Sequence, residues 1–260
     1  MLLRRVIEHV RDQNWFAVSL DFAIVVVGVF IGIQVANWNE ERLNRQEEIV
    51  LIARLREDFD RIAVDAERSL AFHKMMTEHF RTVLHSVRSE RLDAKDVSAF
   101  DQALIAGISV QTSADHSGTF TELMSSGRAS ILRDRDLLDR LVEYEDFLKR
   151  IEFAQHWYMD MIMGALPAYK SAFSYATDMR LTEEMFEEGG QAGDQVVYDF
   201  DDLSADPAFE EAVERLLFVH NGLVVWRSRV SSRVDAIKNQ LSDFLFTEYK
   251  PLESKARLPE

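Results

Sequence analysis

Cysteine is absent from this chain of 260 residues, and glycine and proline are scarce, with 10 and 4 residues. Without a thiol the chain has no disulfide, no thiolate metal ligand and no cysteine nucleophile. The absence fits an oxidising compartment, although cytosolic proteins can also lack cysteine. Because so few residues interrupt helices, the sequence predicts long ones.

The short motifs of several enzyme classes are missing as well. The sequence contains no H-E-x-x-H zinc motif, no G-x-S-x-G turn and no glycine-rich phosphate loop. His73 and His220 fall on apolar helical stripes, where a histidine satisfied within the core is more common than a metal ligand. Glu152 and His156 are one turn apart, but a di-iron bundle needs two Glu-x-x-His pairs. We therefore expect no enzyme, no catalytic residue, no metal and no cofactor.

One long apolar run is present near the N-terminus. It covers 21 residues, Phe16 to Ala36, and the polar residues within it are Ser19, Asp21 and Gln34. As an α-helix it is long enough to cross the roughly 30 Å hydrocarbon core of a bilayer, and no other segment is. Trp15 and Trp38 flank the run, where interfacial aromatic residues are enriched. The sequence therefore predicts a single membrane-spanning helix.

The segments around this span define the domain organisation. Residues 1–15 form a basic leader, residues 16–38 the transmembrane helix, and residues 39–260 an extramembrane helical bundle. The apolar run is longer than in a signal peptide, and its end is a poor cleavage site, which favours an uncleaved anchor. Arginines lie on both sides of the span, so the positive-inside rule is weak here. A short basic leader and a long acidic remainder favour a cytoplasmic N-terminus.

Small residues recur every fourth position within the span, at Gly28, Gly32 and Ala36. Such spacing forms a groove that lets a second helix approach closely. Asp21 lies about two turns before Gly28 and so points to the same face. A buried carboxyl of this kind can fix the register of an oligomer, or it can relay protons as in single-span stator subunits. The pattern favours the structural role, because the chain offers no visible relay partner.

Periodic apolar residues predict three long helices in the remainder. One runs from Ile52 to Val87, a second begins at Asp134 and is broken or kinked by Pro167, and a third begins at Asp206-Pro207. Nothing in the sequence indicates a sheet, so the predicted fold class is all-α, with the transmembrane helix continuing into the first amphipathic helix. Two short helices complete the prediction, one from Asp93 to Gly107 and one from a capping box at Thr119 and Glu122 to Gly127.

Acidic residues concentrate between Thr177 and Glu211, where twelve acids face one base, while the whole chain has a net charge of −15. We predict an acidic loop at about residues 177–206, solvated or docking a basic partner. Asp199, Asp201 and Glu210 match positions 1, 3 and 12 of a calcium-loop template, but other template positions do not fit. The negative charge disfavours nucleic-acid binding.

Several of these residues also carry a resemblance to a known family. They are Asp21, Gly28 and Gln34, the segment Asn37-Trp38-Asn39-Glu40-Glu41-Arg42, the segment Leu123-Met124-Ser125-Ser126-Gly127, and Leu137 to Tyr144. Over residues 15–150 the chain resembles the bacterial family named domain of unknown function 6090. In this family the acidic residue of the span is usually glutamate, where this chain has the shorter aspartate. The resemblance implies a single-pass bacterial membrane protein with a helical domain, and no activity.

Two classes of function follow from the sequence. The first is a structural or accessory subunit of the bacterial inner membrane, with a periplasmic C-terminal domain, whose partners are the lipid bilayer and another transmembrane helix. The second is a proton-coupled or ligand-sensing module in which Asp21 changes state. A second ionisable group beside Asp21 would favour the latter, and a dry apolar groove the former. The sequence favours the first class.

Overall fold

The computed structural model describes residues 15–111, 113–187 and 195–255. This part of the chain is almost entirely helical, which confirms the all-α fold class. Its six α-helices are α1 (Trp15–Arg88), α2 (Val97–Ala106), α3 (Gly118–Ser125), α4 (Arg135–Ser171), α5 (Phe200–Ser204) and α6 (Pro207–Lys255). Two 3₁₀ helices, Ala129–Ile131 and Glu183–Phe186, and two short strands, β1 (Ser174–Tyr175) and β2 (Val196–Val197), complete it.

The chain divides into two compact units, residues 1–50 and 51–260, and α1 contributes to both. The apolar N-terminal stretch and the amphipathic stretch that follows therefore belong to one helix, as the scarcity of glycine and proline predicts. In the first unit, residues 19–43 are all exposed, and this stretch is long and apolar enough to cross a membrane. Among the described residues it is the one helix that meets this test.

The second unit is a helical bundle with two large apolar clusters. One cluster joins the later part of α1 to α2, α4, α5 and α6 and contains Phe80, Phe100, Tyr169 and Phe209. The other joins Ile52–Ala66 of α1 to α3, α4 and the later part of α6. The helices α4 and α6 run antiparallel, since Tyr169 stacks on Phe209 while Phe147 contacts Trp226. The apolar stripes in the sequence supply these clusters.

Helix ends follow the local signals at several predicted positions. The Asp134 side chain accepts a hydrogen bond from Leu137 N at 3.0 Å and caps α4. Asp206 accepts from Ala208 N at 2.9 Å beside Pro207, the first residue of α6. Gly127 follows α3 with a φ of 70°, a left-handed conformation that favours glycine.

Two predicted helix starts are wrong. The helix α2 begins at Val97, after a turn in which Asp96 N donates to Asp93 O, so Asp93 lies outside it. The N-cap of α3 is Ser117, whose hydroxyl accepts from Phe120 N, and Thr119 lies inside the helix. Each error is a shift of two to four residues, because several polar residues in a row offer equivalent local caps.

Pro167 does not end its helix, which continues to Ser171. Proline removes one helical hydrogen bond and leaves the carbonyl of Met163 without its usual donor. Met163 and Pro167 are both exposed, so water can satisfy that carbonyl. The helix therefore tolerates the proline near its C-terminal end.

The predicted absence of a sheet is also wrong in detail. The strands β1 and β2 pair antiparallel, Ser174 with Val197 and Tyr175 with Val196. The strands lie on either side of residues 176–195 in the sequence. Ala176 N extends the pairing by donating to Gln195 O at 2.9 Å. Strands of two residues are too short to show an alternating pattern in a sequence.

Candidate functional site

The predicted helix-packing groove is open on the surface of α1. A Cβ placed on Gly28 or Gly32 would meet no heavy atom within 4 Å. Ala36 is exposed on the same face, so the groove is not covered by the described part of the chain. Because only small residues line it, the backbone is accessible to a second helix.

The polar residues of the span lie on different sides of the helix. At about 100° per residue, Asp21 and Gly28 share a face, whereas Gln34 lies roughly 140° away from Asp21. Both Asp21 and Gln34 are exposed in the first unit. Trp38 is 68% exposed, and the side chain of Trp15 falls outside the described residues. A single partner helix on the glycine face would thus meet Asp21 but not Gln34.

A second feature is a buried polar network around the segment that joins α2 to α3, residues 107–117, of which residue 112 is not described. Arg227 of α6 is only 2% exposed, and its Nη1 donates to Asp115 Oδ2 at 2.5 Å and to Ser113 Oγ at 2.7 Å. The Tyr144 hydroxyl donates to the carbonyl oxygen of Asp115 at 2.8 Å. Burial raises the pKa of Tyr144, so it stays a neutral donor. The ion pair therefore fixes the joining segment against α4 and α6.

Asp58 of α1 binds the other end of this segment. Its Oδ2 accepts from Ser117 Oγ at 2.8 Å and from Thr119 N at 2.9 Å, and Arg61 donates to Oδ1. Burial by itself raises the pKa of Asp58, but these hydrogen bonds to the ionised form outweigh burial and lower it. Asp58 is therefore a charged anchor at the start of α3.

His73 and His220 form a buried pair within the core. Their Nδ1 atoms are 3.0 Å apart, and Nε2 of His220 is 2.8 Å from the carbonyl oxygen of Gly107. Since a carbonyl only accepts, this geometry assigns the proton of His220 to Nε2, and its Nδ1 then accepts from His73. Burial lowers the pKa of His220 to about 4. Burial, together with the charges of His220 and Arg227, lowers the pKa of His73 to about 3.

Gly107 is required where this pair meets α2. A Cβ at this position would lie 2.3 Å from the ring of Phe80, which is closer than atoms can approach. The glycine therefore lets α2 end against α1 with its carbonyl facing His220. The predicted end of this helix near Gly107 is thus confirmed, and the histidines lie in the core as their stripes indicate.

His116 lies on the surface side of the joining segment, between two carboxylates of α4. Its Nδ1 is 3.0 Å from Glu145 Oε2, and its Nε2 is 3.2 Å from Glu152 Oε1. Both ring nitrogens can donate only in the protonated imidazole. Burial lowers the pKa of His116, but the hydrogen bonds and charges of Glu145 and Glu152 outweigh it and raise the pKa. This contact is an ionic link between the joining segment and α4.

Two clefts meet at His116. The larger has a volume of about 390 Å³, and its charged lining comprises Arg54, Asp58, Arg61, Asp65 and His116. The smaller, of about 100 Å³, is lined by polar groups of Ser113, Asp115, His116, Glu152, Gln155 and Arg227. Charges of both signs are already paired in these clefts. Because neither sign is in excess, the clefts can hold water or a small polar molecule. Among the described residues no three His, Asp or Glu side chains converge as metal ligands.

Residues of the proposed calcium template have other roles. Asp199 caps α5 by accepting from Asp201 N and Asp202 N. Glu210 accepts from Arg88 Nε at 2.7 Å and joins α6 to α1. The acidic segment therefore uses these carboxylates as structural contacts.

Sequence reasoning missed Arg227 and its partners. Arg227 occupies the buried stripe of α6 between Leu223 and Val230, so a charged residue at an apolar position was the available signal. No comparable signal marks Asp115 or His116, which lie in an irregular segment. Their roles depend on contacts with helices far away in sequence.

In the residues that the structure describes, these features define an almost entirely helical protein with one membrane-length helix near its N-terminus and a buried polar network in its bundle. Residues 21–180 match the model of a family of unknown function, DUF6090. The chain belongs to this family, which confirms the resemblance seen in the sequence. No curated protein and no solved structure matches the chain. The matched residues include His73, Asp115 and His116, whereas His220 and Arg227 lie beyond them.

Proposed function

We propose that this chain is a single-pass protein of the bacterial inner membrane that acts as a structural or accessory subunit of a larger assembly. In this proposal the span packs against another transmembrane helix, of a second copy or of a different protein. The C-terminal bundle lies in the periplasm, and the protein carries out no catalysis. Nucleic acid and cofactors have no part in the proposed role.

The single observation that carries the proposal is the open glycine face of α1. Residues 19–43 are all exposed, and Gly28 and Gly32 have no atom near their Cβ positions. In lipid, apolar side chains gain nothing by meeting one another, so close backbone packing and interhelical hydrogen bonds drive association. A face of small residues beside Asp21 supplies both.

The membrane contact can be tested by filling the groove. The variant Gly28→Leu/Gly32→Leu should lower the mass of the complex measured in mild detergent, because leucine holds the backbones apart. The matched control is Val26→Leu/Phe30→Leu, which changes apolar bulk on the opposite face. An unchanged mass for the glycine variant would contradict the proposal.

A further inference from the structure

The outer surface of α4 and α6 combines exposed aromatic rings with arginines. Phe153 and Trp157, one turn apart on α4, are 82% and 51% exposed, and Phe218 of α6 is 53% exposed. The rings of Trp157 and Phe218 are 6.0 Å apart in an edge-on arrangement, so they form one patch. We define the arginine–aromatic surface as these three residues together with Arg150, Arg229 and Arg233.

The guanidinium group of each of the three arginines lies over the face of an aromatic ring. The guanidinium carbon of Arg233 is 3.8 Å from the ring centre of Phe147, and that of Arg150 is 6.0 Å from it. Arg229 lies 5.2 Å from the ring of Trp226, which in turn is 6.0 Å from Phe147. Two neighbouring rings therefore place three positive charges next to one another.

Unlike several other arginines of the bundle, these three have no acidic partner among the residues that the structure describes. Arg54, Arg81, Arg88 and Arg215 each form an ion pair. Arg150, Arg229 and Arg233 form none with any residue that the structure describes. In a chain with 45 acidic and 30 basic residues, these three neighbouring arginines carry positive charge that no described carboxylate pairs with.

The described residues of the chain's own acidic segment contact other helices. Nε2 of Gln102 in α2 donates to the carbonyl oxygens of Met185 and Glu187, at 3.0 and 2.9 Å. Glu210 and Glu214, near the start of α6, are paired with Arg88. Met185 and Glu187 of the segment thus lie against α2, and the residues of the arginine–aromatic surface are exposed.

The geometry points to the arginine–aromatic surface as a docking site for an acidic amphipathic segment of a partner protein. Arginine binds carboxylates through paired hydrogen bonds, and stacking on a ring orders its guanidinium while leaving N–H donors free. Exposed tryptophan and phenylalanine bury apolar side chains, and with arginine they dominate protein interfaces. The occupant must therefore carry carboxylates beside apolar side chains. A nucleic acid lacks those side chains, and the net charge of −15 repels a polyanion.

This inference rests on the accessory role proposed above and names a partner chemistry for the extramembrane domain. The full chain is placed in nanodiscs of phosphatidylcholine. The probe is a labelled synthetic helix of about 18 residues, five turns, with glutamate on one face and leucine on the other. Fluorescence anisotropy measures its binding, and a peptide with lysine in place of glutamate serves as the comparison.

The acidic peptide should bind at least about tenfold more tightly than the lysine peptide, and raised salt should weaken it. Arg229→Glu/Arg233→Glu should reduce affinity at least about tenfold, whereas the charge-matched control Arg68→Glu/Arg81→Glu on α1 should not. Phe153→Ala should weaken binding about fivefold without unfolding the bundle, because that ring is mostly exposed. The variant Gly28→Leu/Gly32→Leu should bind the acidic peptide with normal affinity. That result would show that this site is independent of the membrane contact.

Equal binding of the two peptides, or full affinity in Arg229→Glu/Arg233→Glu, would overturn the inference. The inference would also be overturned if the wild-type chain self-associates and Arg229→Glu/Arg233→Glu abolishes that self-association. In that case a second copy, and not a foreign acidic segment, covers the surface.

Discussion

Arg227 and Asp115, 112 positions apart in sequence, form a 2.5 Å ion pair in the interior of the bundle. The side chains of Arg227 and Asp115 are only 2% and 10% exposed. Burying two charges costs solvation energy, so the pair specifies where the α2–α3 segment lies more than it adds stability. Removing either partner alone leaves an unpaired charge in the core.

Arg227→Met should lower the free energy of unfolding by about 3–5 kcal/mol, because Asp115 is left charged and unpaired. The exposed neighbour Arg229 provides the control, since Arg229→Met should change stability by no more than about 0.5 kcal/mol. Urea unfolding in detergent, followed by helical circular dichroism, measures both. Similar losses in the two variants would show that the buried pair has no special structural role.

His116 should make the bundle less stable as the pH rises. Its folded-state pKa is raised above the ordinary value of 6.5, so its contribution is complete below pH 6.5 and is lost as the pH passes through the folded pKa. His116→Gln should remove this decline, whereas His156→Gln, one turn from Glu152, should keep it. Thermal unfolding between pH 6 and about 8.5 is the measurement. Persistence of the decline in His116→Gln would refute the assignment.

The buried pair of His73 and His220 should make the bundle less stable as the pH falls. Their folded-state pKa values, about 3 and about 4, lie below 6.5, so the unfolded chain binds more protons in between. Their contribution is complete above pH 6.5 and is lost as the pH falls, at no more than about 1.4 kcal/mol per pH unit for each histidine. Urea unfolding between pH 6.5 and about 4.5 tests this, and His73→Gln/His220→Gln should be insensitive to pH in that window. A wild-type stability that stays constant would contradict the neutral pair.

Substitutions of Asp21 can distinguish a role in assembly from a role in proton coupling. Asparagine keeps the shape and hydrogen-bonding capacity of aspartate without its charge. If Asp21 fixes helix register, Asp21→Asn should assemble normally, and Asp21→Leu should weaken assembly by about 1 kcal/mol. Complex mass in detergent and a growth phenotype measure the two variants. An asparagine variant that assembles normally but behaves as a null would instead favour the proton-coupled module.

Orientation can be tested with a reporter that is active only in the cytoplasm. Fused after Glu260 in a Gram-negative host, it should stay silent, because the short basic leader favours a cytoplasmic N-terminus. The same reporter at the N-terminus is the positive control. Strong activity from the C-terminal fusion would place the bundle in the cytoplasm.

The sequence by itself determined the features that depend on neighbouring residues. The membrane-length helix follows from the apolar run between Phe16 and Ala36, and the long helices follow from spacings of three and four. The caps at Asp134 and Asp206 and the left-handed Gly127 are likewise local, since each satisfies backbone groups within a turn. Small errors arose where adjacent polar residues could serve equally well, as at Ser117 and Thr119.

Only the tertiary structure decided which polar residues meet. His73 and His220 are 147 positions apart, and His116 reaches Glu145 and Glu152 on another helix. The sequence indicates that both histidines of the pair are buried, but a stripe specifies a helix face and not the residue opposite it. The arginine–aromatic surface also depends on α4 and α6 running antiparallel. These contacts result from chain packing over long separations, for which no local periodicity or cap exists.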